Sequence, residues 1–373
     1  MKAFQENLKK ILLVAGKKIL IVFIALAVIM LVLALTGYKP ISVMEGMKRA
    51  VTSDIGNTLR WTAPLILCGL AVAIPMSAGV FNMGIDGQLM LGAITSAAIG
   101  LSLYGKMPPV SVIILALSCG AIIGLLWALI PAFLRATWGT DEVVTTLLLN
   151  YIAVLITDYL VMGPLMGEGA TGTTYSTNSL ATDLWLTRII PQSSANIGLF
   201  IAIVIAIIVN FVLYSTTLGY EIKVVGTNSI FARYGGIKSK KTIIMTFLIS
   251  GAIAGLVGGI EVFGVHHRFP GRFNTGLGFD GVVVSLMADN NPLGILFTGT
   301  LFGILRNGGM NMERVTEIPR AMVDVVQALI VLTATGRLGF GFLKHRKRRN
   351  SSDDSNTKNE ERNNSLLAEE VKP

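Results

Sequence analysis

The chain consists largely of apolar runs close to the length a helix needs to cross a bilayer, about 20 residues. Within lipid such a run must satisfy its own backbone polar groups, which a helix does and an open strand does not. The runs fall at 19–37, 61–80, 89–104, 110–134, 143–162, 195–214, 242–265 and 321–335. Two shorter runs, 281–288 and 293–305, flank Asn290-Asn-Pro292. The pattern predicts an all-α fold, a polytopic transmembrane helical bundle with about ten crossings. The short pair is either two of those crossings or a re-entrant hairpin. Only 14% of residues are charged and the mean hydropathy is +0.66. A soluble domain carries about a quarter charged residues, so lipid must solvate most of this chain.

The net charge of +9 is gathered beside the apolar runs rather than on a nucleic-acid face. Basic residues crowd the first 18 positions, the loop Gly219–Lys241 and Lys344-His-Arg-Lys-Arg-Arg349, whereas the long connection 163–192 carries only Arg188. The positive-inside rule puts all three basic segments in the cytoplasm. Ten crossings then leave both termini inside. No small-residue cleavage site follows the run 19–37, which reads as an uncleaved first span. The organisation is therefore 1–37, an N-terminal segment with the first span; 38–343, the transmembrane domain with a cytoplasmic loop at 216–241; and 344–373, a polar tail expected to be disordered. Cys68 and Cys119 lie in apolar runs and offer neither a disulfide framework nor metal-ligand spacing.

Polar residues interrupt the apolar pattern in few places. In Phe81-Asn-Met-Gly-Ile-Asp-Gly-Gln88, glycines loosen the helix while Asn82, Asp86 and Gln88 bring polar groups to the membrane. Irregular backbone is tolerated there only inside protein or along a water-filled path. Asp86 is read either as part of a pathway or as the cap of a helix beginning at Gln88. Gly276-Leu-Gly-Phe-Asp280-Gly echoes this Asp-Gly start after a span of opposite direction. The echo suggests an inverted repeat with halves of roughly 61–160 and 243–340. In Asp141-Glu-Val-Val-Thr-Thr-Leu-Leu-Leu-Asn150, Thr140 or Asp141 caps a helix and Asn150 seeks a partner on a neighbouring helix. Gly251, Gly255 and Gly259 give one span a face for close packing. In the basic loop, Asn228 is placed to N-cap a short helix, Ser229 to Tyr234, and Gly235 to end it in a left-handed turn. Ile230, Phe231 and Tyr234 then share one apolar side that calls for cover, from the protein's own membrane base or from a partner.

Catalytic and metal patterns are weak. His266 and His267 with Glu261 lack the zinc-protease spacing and a further ligand, and an intramembrane enzyme would need a second cluster. An ion-driven transporter would need carboxylates in mid-span, which are scarce. The sequence holds no Gly-x-x-x-x-Gly-Lys-Ser/Thr phosphate loop, so any ATP-driven step must draw on another subunit.

Four segments together resemble one family, the nucleoside and simple-sugar permeases of ABC importers, the ribose/galactose and branched-chain-amino-acid-like inner-membrane group. They are Phe81–Ala93, Asp141–Ala153, Val225–Ile237 and Gly278–Gly294, spread over about 60–340. Asp86 stands where such permeases often have Glu, and Asp141 where Asn is common. The resemblance implies a bacterial cell-membrane importer subunit that is not itself an enzyme. Its implied partners are ABC ATPase subunits holding ATP and Mg, a second permease (related or identical), an extracytoplasmic substrate-binding protein, and lipid. Nucleic acid is not among them. On this resemblance Gly226, Asn228, Ile230, Phe231, Ala232, Arg233, Tyr234 and Gly235 form the ATPase-coupling loop. Asn82, Asp86, Gln88, Asn150 and Asp280 belong to the translocation path. The Phe-Asn-x-Gly-x-Asp-Gly-Gln variant favours nucleosides over ribose/galactose-type sugars.

Overall fold

The computed structural model describes residues 41–168, 175–271, 273 and 276–315. The expected spans 19–37 and 321–335 and the tail 344–373 lie outside them. The described helices are α1 (Ile41–Thr52), α2 (Ile55–Ser77), α3 (Ile85–Leu103), α4 (Pro109–Trp138), α5 (Glu142–Met162) and α6 (Gly198–Ser215). There follow α7 (Thr217–Thr227), α8 (Ser229–Tyr234), α9 (Ser239–Glu261, extended by a π turn Val262–His266), α10 (Leu277–Met287) and α11 (Pro292–Val315). Six of these (α2 to α6, and α9 with its π turn) are long and apolar enough to cross a membrane. With no sheet among the described residues, the fold is a polytopic helical bundle.

Two layers are distinguished by burial. The most apolar windows of α2, α3 and α9 are 83%, 72% and 61% buried, whereas those of α4, α5 and α6 are below 30%. The first three form the core, and the others turn apolar side chains such as Ile114, Leu155 and Phe211 outward. Packing among the helices is reciprocal: α2 lies on α10 and α11, and α9 lies on α3 and α4. The second contact is a glycine seam. A Cβ on Gly255 would come 2.2 Å from the Gly120 carbonyl oxygen, and one on Gly92 2.3 Å from that of Gly255. Only hydrogen side chains permit that approach of backbones.

Helix boundaries depart from the apolar runs where polar side chains find partners. The second span begins at Ile55, not 61, because Thr58 and Arg60 are buried and bonded. The helix α11 runs ten residues past Leu305 because Asn307 donates to the Asp54 carbonyl (2.9 Å) and to Thr58 Oγ1 (3.0 Å), and Asn311 to Asp54 Oδ2 (2.8 Å). The turn before α11 follows expectation, with Asp289 and Asn290 left-handed and Asn291 Oδ1 accepting from Leu293 and Gly294. At 11 residues, α10 is about 16 Å long by helical rise, roughly half the hydrocarbon thickness. Joined by the turn at 288–291, α10 and α11 form a helical hairpin with one short arm.

Candidate functional site: a braced break beside a bare cytoplasmic helix

Between α2 and α3 the chain leaves helical geometry at 78–84, and Gly79 takes φ +74°. Side chains of α5 and Asn82 itself bond the backbone of this break, and α3 and α9 hold Asn82 in place. Asn82, wholly buried, donates through Nδ2 to Gln88 Oε1 (3.1 Å) and to Ser250 Oγ of α9 (2.9 Å). Its Oδ1 accepts from the Gly84 amide (2.9 Å) and from Gln88 Nε2 (3.3 Å). Ser250 Oγ donates onward to the Ala71 carbonyl of α2 (2.6 Å). From α5, Thr146 Oγ1 accepts from the Met83 amide (3.2 Å). Asn150 donates to the Met83 carbonyl (2.8 Å) and accepts from the Gly87 amide (2.9 Å). The partner Asn150 was expected to seek is thus backbone. An irregular segment braced in this way is stable inside a bundle where an unbonded one would be expelled.

Asp86 does not cap a helix at Gln88. The helix α3 already begins at Ile85, with Gly84 as N-cap. The Asp86 carboxylate turns instead to the start of α10, where Oδ1 accepts from the Gly278 amide at 2.9 Å. A carboxylate at a helix N-terminus meets unpaired amides and the positive end of the dipole. The first turns of α3 and α10 therefore meet, level with the middle of α2, since Gly281 packs on Cys68. Asp280, half-buried on α10, pairs with Arg306 of α11. The structure thus gathers Asn82, Gln88 and Asn150 around one break, with Asp86 reaching from it toward the helix that carries Asp280.

The break has a neighbour on the other side. Gly226, near the end of α7, lies against Ser77, Ala78 and Gly79, and a Cβ there would be 2.2 Å from the Ser77 carbonyl oxygen. Two residues on, Asn228 N-caps α8 by accepting from the Ile230 (3.0 Å) and Phe231 (2.9 Å) amides. Ala232 is buried against the base. Ile230, Phe231 and Tyr234 are 68%, 64% and 89% exposed, so their apolar side is bare, and Arg233 is exposed beside it. The end of α8 corrects the sequence reading. Gly235 has φ −76° and Gly236 takes the left-handed position at +80°. Gly236 donates to the Arg233 carbonyl and Ile237 to that of Ala232, the Schellman pattern with its left-handed residue one place later.

Several participants escaped the sequence reading. Thr146 carries a usable signal, since it lies one turn before Asn150 on the same side of α5. Ser250, the Gly278 amide and Arg306 come from distant elements and carry none. Glu261 is engaged by Arg60 at 2.9 Å, and His267 stacks on Trp185, with ring centroids 3.7 Å apart. Among the described residues no group of three His, Cys, Asp or Glu side chains is arranged to hold a metal ion.

A multi-pass helical bundle with a buried, braced discontinuity and an exposed apolar helix in its basic loop has the build of a membrane permease. Residues 55–335 match the family described as branched-chain amino acid transport system / permease component, and the chain belongs to it. It is 33% identical over 328 residues to the guanosine ABC transporter permease protein NupP of Bacillus subtilis, covering 86% of this chain and 93% of that one. To the nucleoside ABC transporter permease protein NupB of Lactococcus lactis it is 35% identical over 332 residues, 84% and 90% of the two chains. The glucose ABC transporter permease protein TsgB13 of Haloferax volcanii is 33% identical over 330 residues, 85% and 86% of the two.

Proposed function

We propose that this chain is the membrane-spanning subunit of an ATP-driven ABC importer and forms the translocation path for nucleosides. The observation that carries the reading is the contact of Gly226 with the break at 78–80. Through it a helix with a bare apolar side, α8, is joined by one short element to the buried polar segment of Asn82 and Asp86. A partner ATPase seats Ile230, Phe231 and Tyr234 in a groove, with Arg233 at the rim. It binds ATP with magnesium, and its movement reaches the break through α7. The bare apolar sides of α4 to α6 face lipid and a second permease chain, a related one or a second copy. An extracytoplasmic binding protein delivers substrate, and both termini lie in the cytoplasm of a cell-membrane protein.

Within the path, Asn82, Gln88 and Asn150 hold the break in shape, while Asp86 and Asp280 mark the mouth between the two helix starts. Amides and hydroxyls match the hydroxyls of a ribose without burying an ion. Nucleosides are favoured because two of the relatives described above carry guanosine and nucleoside transport in their names. The glucose permease, at similar identity, supports a simple sugar as the second reading. Uptake of radiolabelled guanosine, uridine, ribose and glucose in cells with and without the gene separates the two. Loss of nucleoside uptake alone is expected. Loss of sugar uptake alone transfers the reading to sugars, and no change in expressing cells overturns both.

A further inference from the structure

At the end of the bundle opposite α8, five side chains from four helices form a cluster of which the path described above uses only Asp280. Arg60 of α2 donates to Glu261 of α9, and the two side chains are 8% and 1% exposed. Arg306 of α11 pairs with Asp280 of α10. Both guanidiniums lie over the Trp61 ring of α2, their carbons 3.5 Å and 4.0 Å from its centroid. Arg60 Nη1 is buried with no hydrogen-bond partner. The cluster ties α2 to α9, α10 and α11.

Such a group is a poor choice for stability alone. Charges inside a bundle are costly to desolvate, and well-packed apolar residues of similar volume often hold as well or better. Its distinctive property is conditional strength. Each ion pair is neutral by itself, and the Trp61 ring under both guanidiniums joins the two into one group. Separation in the dry bundle strands Arg60 and Glu261 in a medium of low dielectric, whereas admitted water removes most of that cost. A contact that is firm when dry and weak when wet is a two-state element.

We infer that Glu261, Arg60, Trp61, Arg306 and Asp280 form one clamp that holds α2 against α9, α10 and α11 at the end away from α8 and releases when that end opens to admit substrate. Trp61 is its positioning residue, keeping both guanidiniums on one ring so that the two ion pairs open together. The inference rests on the transport reading, not on which solute is carried.

Cys68 reports on the clamp. It is fully buried, sits under the cluster beside Gly281, and is the sole thiol in a Cys119→Ser background. The full chain, with its ATPase where one co-purifies, is placed in nanodiscs and reacted with a water-soluble maleimide. The neutral pair Arg60→Met/Glu261→Leu leaves no unpaired charge at that contact. It is expected to label Cys68 at least about tenfold faster, with unchanged melting temperature and with ATP hydrolysis no longer dependent on binding protein. Should that pair fail to fold, Trp61→Leu is expected to shift labelling the same way by a smaller factor. Unchanged labelling in a folded variant overturns the clamp, as does faster labelling accompanied by a matching loss of thermal stability. Faster labelling with no ATPase found to couple to it keeps the clamp and removes the transport reading.

Discussion

The break at 78–84 and the helix α8 touch through Gly79 and Gly226, yet they present opposite surfaces. In the break, polar groups are inside the bundle and every side chain described has found its bond: Asn82, Gln88, Asn150 and Ser250 close on one another and on backbone. On α8, apolar groups are outside and Ile230, Phe231 and Tyr234 have no cover. The first region is closed on itself, and the second is, on the proposed function, the seat of another chain. A substitution in the break should therefore register as lost stability, and one on α8 as lost association.

That division can be broken or sharpened in order of effect. Asn82→Leu strands Gln88 Oε1, Gln88 Nε2 and the Gly84 amide together. The bundle should lose about 3 kcal/mol or more, at roughly 1–3 kcal/mol for each unsatisfied buried group, read as a fall in detergent melting temperature and in inserted yield. Phe231→Asp should leave melting unchanged within about 0.5 kcal/mol, as at other exposed sites. It should weaken ATPase co-purification about thirtyfold or more, the scale of a central apolar anchor. Equal effects of both variants on melting would erase the distinction.

The smallest effect lies at the far end, where His267 stacks on Trp185. Burial first, then the nearby Arg188, holds this imidazole below the ordinary histidine value. The folded segment therefore prefers the neutral ring. As pH falls through the unfolded value of about 6.5, the unfolded segment takes up its proton first and the stack loses stability. Hydrogen exchange across 176–190 should quicken modestly between pH 7.5 and 5.5 and stay level in His267→Gln.

Much of the scaffold was legible because it depends on local chemistry. Apolar runs located the spans, Asn228 and Asp141 proved to be caps, and the glycines of α9 proved to be a packing seam. What stayed hidden depends on partners far along the chain. Arg60 finds Glu261 201 residues later, and Asp86 finds Gly278 192 residues later. Neither carries a periodic signal, and both look like ordinary helix-end charges when read alone. The polar half of α11 was missed for the same reason: its asparagines are buried against Asp54 and Thr58, so hydropathy alone ends the helix too early. The shift from Gly235 to Gly236 is smaller, since adjacent glycines both allow the left-handed turn and only the hydrogen-bond closure of α8 chooses between them.

The glycine seam limits which parts of the chain can act as moving pieces. With the backbones of α3, α4 and α9 pressed against one another at Gly92, Gly120, Gly124, Gly251 and Gly255, sliding any one would drive carbonyl oxygens into its neighbours. These three helices behave as a stator. On the proposed coupling, a stroke entering at Gly226 meets the end of α2 and must be taken up by α2 moving against α9 and the α10–α11 hairpin. The working joint of the proposed device is then the left-handed bend at Gly79, and its lever arm is the length of α2.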